Sequence, residues 1–198
     1  MKSLDRIQQN SREINRMLAQ INALAQERHA SPAQRAAWQA ACEEFYARYD
    51  SLCFPGGAAM LERVRGGDPA AIDAAVQFLL ADPYHFRSGY LKERLWRWLA
   101  RQALSAGARR RLEHAALAYL DRRICREFWS MCKAMPRIGS AQFWSQVAAR
   151  ALSSTAAARA TLLLAHGASM QAGALARHRF HQACQSCTSH NPGPTHDA

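Results

Sequence analysis

Apolar residues return at alternating three- and four-residue steps along most of this 198-residue chain. Nowhere do apolar and polar residues alternate long enough to make a strand. That spacing puts the apolar positions on one side of a helix and leaves a strand with no continuous buried face. Only 7 Pro and 10 Gly punctuate the sequence, too few for a sandwich or barrel of many short strands. The reading is an all-α protein of antiparallel helical hairpins, stacked as a short solenoid or packed as a compact bundle.

The first run is Leu4, Ile7, Ser11, Ile14, Leu18, Ile21 and Ala25, a narrow seam on a helix otherwise rich in Asn and Gln. Ser31-Pro32 then supplies an N-cap and a proline at the first helical position, with Gln34 placed for a capping box. A second helix turns Trp38, Cys42, Phe45, Tyr49 and Leu52 inward and stops at Phe54-Pro55-Gly56-Gly57. Residues 1–53 therefore read as an N-terminal hairpin whose seam is closed in cis or by a second copy of the chain.

Residues 58–187 read as a second helical domain. A short helix covers 58–65, and Asp68-Pro69 opens another to Ala81, followed by a loop from Asp82 to Gly89. Further helices are expected from Tyr90 to Leu104, from Ser105 to Met135, from Ser140 to Leu152 and over 155–166, where Gly167 ends the last. One more begins at Ser169 and fades near Cys184, and residues 188–198 read as a disordered tail. From Asp68 onward the elements pair into units of about 35 residues, a spacing typical of helical-hairpin repeats.

The segment Asp82-Pro83-Tyr84-His85-Phe86-Arg87-Ser88-Gly89-Tyr90-Leu91-Lys92-Glu93 resembles part of certain HEAT-like helical proteins of bacteria. Phe54-Pro55-Gly56-Gly57 and Arg126-Glu127-Phe128 are similar to the same group, so the resemblance spans about residues 54–135. It implies a stack of α-hairpins and brings no activity and no functional residues with it.

Charge is the other informative feature. The chain carries 26 Lys and Arg against 15 Asp and Glu, and residues 101–150 alone hold 10 cations and 3 anions. On one continuous helix through 106–135, Leu117, Leu120, Ile124, Phe128, Met131 and Met135 make a core stripe about 80° wide. Opposite it, Arg111, Arg122, Arg126 and Lys133 fall within about 60°, with Trp129 beside them and Tyr119 just past Arg126. A cationic ridge carrying two aromatics suits an acidic protein surface, or a phosphate backbone with stacked bases. A plain solvated helix face has the same composition.

Chemistry is harder to find. There is no phosphate loop, no dinucleotide fingerprint and no H-E-x-x-H. Gly167-Ala168-Ser169 lacks the closing glycine and the strand of a nucleophile elbow. Glu43-Glu44 lies on a solvated face, where Glu44 pairs with Arg48 at (i, i+4). In the 82–89 loop, Asp82 reads as a turn cap, His85 as the partner of a loop carbonyl and Arg87 as a donor to a neighbouring helix end. His178, His181, Cys184, Cys187 and His190 recur every third residue. Of these, His181, Cys184 and Cys187 are the zinc candidates, but a 300° turn per step spreads them around a helix. No cofactor and no metal are expected. Cys42, Cys53, Cys125 and Cys132 read as thiols packed as small hydrophobes.

No secretory signal precedes the first helix, and the most apolar window, 160–176, is too rich in Ala, Gly and polar residues for a span. The expectation is a cytoplasmic, non-catalytic scaffold. It would bind another protein through the N-terminal seam or the concave side of the hairpin stack, or an acidic one through the basic helix, with nucleic acid as the alternative ligand.

Overall fold

A computed structural model describes residues 2–153 and 156–168. Every regular element among them is helical. Helices α1 (Lys2–Glu27) and α2 (Pro32–Leu52) form the N-terminal hairpin. Then follow α3 (Gly57–Arg65), α4 (Pro69–Ala81), α5 (Ser88–Leu99), α6 (Ala106–Tyr119), α7 (Arg126–Ile138) and α8 (Ala141–Ser153). A further helix, α9, covers residues 157–168, and the helix expected from Ser169 and the tail expected over 188–198 lie outside the described residues.

Local chemistry accounts for the starts. Ser31, Asp68 and Ser105 each adopt extended backbone and accept an N–H from three residues on, at 3.2, 2.9 and 3.1 Å. Proline follows the first two at the first helical position, where its missing N–H costs nothing.

The helices form two layers. Helix α1 packs on α4 and α4 on α6, while α3 packs on α5 and α5 on α7. Successive hairpins α4–α5 and α6–α7 thus add one helix to each layer. One continuous core joins the layers, centred on Phe54, Phe78, Leu95, Trp96, Leu112 and Phe128, all at 0–1% exposure. The N-terminal seam is closed within the chain. Ile7 enters this main core, and Ile14 and Met17 pack with Phe45 of α2 in a smaller one.

The expected helix from Ser105 to Met135 is two helices. The chain turns at Leu120 to Cys125, where Leu120, Asp121 and Arg122 donate to carbonyls three residues back. A straight helix through 135 would extend about 24 Å past Tyr119, carrying Phe128, Met131 and Met135 out of reach of the core. Reversal brings all three to 0–1% exposure, with α7 packed along α5. Ile124, expected in the core, lies in the turn at 47% exposure.

Other boundaries shift for visible reasons. The helix expected to reach Leu104 ends at Leu99, and Gln102 reaches back to the carbonyls of Val64 and Arg65. Pro136 sits inside α7, which continues to Ile138 rather than stopping at Met135. Gly167, expected to end a helix, is still helical, as is Ala168 after it. It lies buried within α9, where a Cβ would meet Trp144 at 3.0 Å. Cys125 is exposed at the N-cap of α7, not packed in the core.

Candidate functional site

The 82–87 connection between α4 and α5 begins and ends on residues with left-handed backbone, Asp82 at φ 46° and Arg87 at φ 61°. An aspartate visits this region more readily than most residues, and here its carboxylate is held from three sides. Lys92 Nζ donates to Asp82 Oδ1 at 2.7 Å, Tyr119 Oη donates to the same oxygen at 3.0 Å, and Arg122 pairs with Oδ2. Asp82 is the C-cap of α4, its N–H donating to the Phe78 carbonyl, and its carboxylate anchors a charge cluster. Lys92 also donates to Glu127 Oε1 at 3.2 Å. One carboxylate from the end of α4 and one from the start of α7 thus close on a single ammonium from α5.

The centre of this cluster is buried, with Arg122 at its exposed edge. The side chains of Lys92, Glu127 and Asp82 are 3, 8 and 14% exposed. Burial pushes the Lys92 ammonium below its ordinary range, and the Glu127 carboxylate opposes that shift. Burial likewise raises the Tyr119 phenol, which stays protonated as a donor. Two cations face two carboxylates, every charge has a partner, and the arrangement holds three helices in register.

The loop above is fastened to the N-terminal hairpin. Ser11 Oγ and Asn15 Nδ2 both donate to the Tyr84 carbonyl, at 2.9 and 2.7 Å, and Tyr49 Oη donates to that of Phe86 at 2.8 Å. His85 Nδ1 lies 3.0 Å from the Phe86 carbonyl, as the partner of a loop carbonyl should. Arg87 instead stacks over the Phe86 ring, 5.2 Å from its centroid. These contacts leave Tyr84 and Tyr90 displayed at 84 and 55% exposure.

The reversal at 120–125 breaks up the expected ridge. Arg111 points to α4 and pairs with Asp73 at 2.6 Å. Tyr119 is buried at 4% exposure, and Arg122 is drawn to Asp82 while lying over the Tyr119 ring. Arg126, Trp129 and Lys133 stay together on α7, and the same line gains Arg137. These four are the strongly exposed side chains of the helix. They fall within about 80° of one another and run about 16 Å along the axis. Lys133 and Arg137 make no ion pair among the described residues. Arg126 covers the Tyr90 ring at 4.4 Å and lies 3.4 Å from Glu93. Trp129 touches Phe128 and His166 edge-on.

The sequence did not bring α5 into this face. Tyr90 and Arg94 lie one turn apart there, and Arg94 lies over Trp98 at 4.7 Å. With Tyr49, Arg87 and the apolar Phe54, Leu61 and Leu91 they line a groove of about 660 Å³ between α2, α3 and α5. A Tyr at the first turn of α5, spaced four from an Arg, was the available signal.

Among the described residues no three His, Cys, Asp or Glu side chains gather as a metal site, and no helix is long and apolar enough to cross a membrane. The candidates His181, Cys184 and Cys187 lie outside the described residues. No family model matches this chain, and no curated protein or solved structure matches it at a significant level.

Proposed function

We propose that this protein is a non-catalytic helical scaffold that binds an acidic segment of another protein along α7. The observation that carries this reading is the line Arg126, Trp129, Lys133 and Arg137, cationic at three positions and aromatic at the fourth. On a helix with an apolar inner face, such a line gives favourable long-range attraction to carboxylates and one desolvating contact. The buried Lys92 cluster supports the same reading. Its charges are spent on one another, so they lock α4, α5 and α7 as a platform and offer no reacting group to a substrate.

Nucleic acid is the second reading, favoured by the one exposed indole between cations, which could stack a base. Fluorescence anisotropy separates the two with a labelled twelve-residue glutamate-rich peptide and a single-stranded oligothymidine of equal charge. The peptide should bind saturably to the full chain and lose at least tenfold in affinity with Lys133→Glu and Arg137→Glu. Tighter binding of the oligonucleotide, with a slope of log affinity on log salt of about −2, would establish the second reading. Binding of both probes unchanged by the two substitutions would remove α7 as the docking element.

A further inference from the structure

The α7 line and the groove between α2, α3 and α5 meet at Tyr90. Tyr90 lines the groove, and Arg126 lies over its ring at 4.4 Å. Helices α3, α5 and α7 belong to one layer, so the groove and the cationic line are neighbouring parts of one surface.

Their electrostatics differ. Along α7, Lys133 and Arg137 have no carboxylate against them among the described residues, and Arg126 is offset by Glu93. Inside the groove, Arg87 and Arg94 face Asp50 and Glu62, and Arg94 lies 3.7 Å from Glu62. Those four charges cancel. The floor is apolar, with Phe54 and Leu91 at 0 and 8% exposure, and its volume exceeds that of any single side chain. A carboxylate entering it would leave water and meet Asp50 and Glu62. An uncharged apolar side chain loses nothing there, leaves water itself and covers the partly exposed Leu61 and Tyr90.

We infer that the acidic segment lying along α7 also seats one large apolar side chain in the α2–α3–α5 groove, beside Tyr90. This rests on the reading of α7 as the docking element and adds what that segment must contain. The partner is acidic over the stretch facing Trp129 to Arg137 and carries a Leu, Met or aromatic residue just beyond the part that reaches Arg126. Charge sets encounter and orientation, while the anchor sets residence time.

Two synthetic peptides test it against the full chain. Both carry a block of eight glutamates flanked by Gly-Gly linkers, one ending in Leu at both ends and the other in Ser. The Leu peptide should bind about 10- to 100-fold more tightly, the gain expected from burying one such side chain. Ala58→Trp places a ring from exposed α3 into the groove and should bring the Leu peptide down to the level of the Ser peptide, whose own affinity stays the same. A photo-reactive benzophenone in place of Leu should label α3 or α5, a readout independent of how well the Trp variant folds. Equal affinities for the two peptides, both lost with Lys133→Glu and Arg137→Glu, would overturn the anchor while leaving α7 as the docking element. Failure of both peptides to bind would overturn both.

Discussion

Lys92 Nζ stands 2.7 Å from Asp82 Oδ1, an ammonium from the second turn of α5 clamped onto the residue that ends α4. The same nitrogen reaches Glu127 at the start of α7, so one cation joins α5 to two carboxylates 10 and 35 residues away in sequence. Replacing it with Met leaves Glu127 buried with no cation bonded to it and Asp82 with Arg122 and the Tyr119 hydroxyl. Breaking a buried pair from one side costs about 3–5 kcal/mol. Lys92→Met should lower the unfolding free energy measured by urea denaturation by that amount, and adding Glu127→Gln should recover part of it. A loss below about 1 kcal/mol for the single variant would show that the cluster does not hold the layers together.

His85 gives the fold a pH dependence. It is 7% exposed, and burial holds its imidazole pKa below the ordinary value of 6.5, with the Lys92 charge acting in the same direction. The unfolded chain thus takes up a proton at a pH where the folded chain does not. Stability from this group is complete above pH 6.5 and falls as pH drops from there towards the lower folded pKa. Denaturation curves between pH 7.5 and 5 should show that decline, and His85→Gln should flatten the difference. Parallel curves for the two proteins would mean that His85 carries none of it.

The helical class was legible because it rests on spacing, and the starts of α2, α4 and α6 because Ser31, Asp68 and Ser105 carry cap chemistry. The turn at 120–125 was not. Neither Gly nor Pro marks it, and Asp121-Arg122-Arg123-Ile124-Cys125 fits a helical pattern as well as its neighbours do. What breaks the helix is tertiary. Leu120 is fully buried at the turn, Asp82 draws in Tyr119 and Arg122, and α5 offers a surface for Phe128 and Met131. The site was legible to the same extent. Arg126, Trp129 and Lys133 share one short helix and stay together, whereas Arg111, Tyr119 and Arg122 depended on a continuity the fold does not have.

Thiol reactivity should sort the described cysteines by position. Cys125 is exposed at the start of α7, while burial pushes the Cys53 thiol up to about 11 and the Cys132 thiol up to about 12. Only the thiolate attacks an alkylating agent, so at pH 7.5 both are essentially unreactive. Iodoacetamide for short times, followed by peptide mass spectrometry, should modify Cys125 well before Cys53 and Cys132. All three should react alike in 8 M urea. Early labelling of Cys132 in the native protein would place α7 outside the core.

The N-terminal helix should behave as a structural part of the monomer. Ile14 is fully buried and packs with Met17 and Phe45, Ile7 joins the main core, and Ser11 and Asn15 hold the Tyr84 carbonyl of the 82–87 loop. Ile14→Ala removes a large buried side chain and should cost about 2–5 kcal/mol. Ser11→Ala, which removes one of two donors to the Tyr84 carbonyl, should cost about 1 kcal/mol. Deleting residues 1–28 exposes Phe45 and the loop carbonyl together, and the product should aggregate or lose its cooperative unfolding transition. Light scattering of the full chain provides the complement, with the mass of one 22.1 kDa chain expected at micromolar concentration. A full-length dimer that the deletion converts into a stably folded monomer would show instead that α1 closes its seam on a second copy.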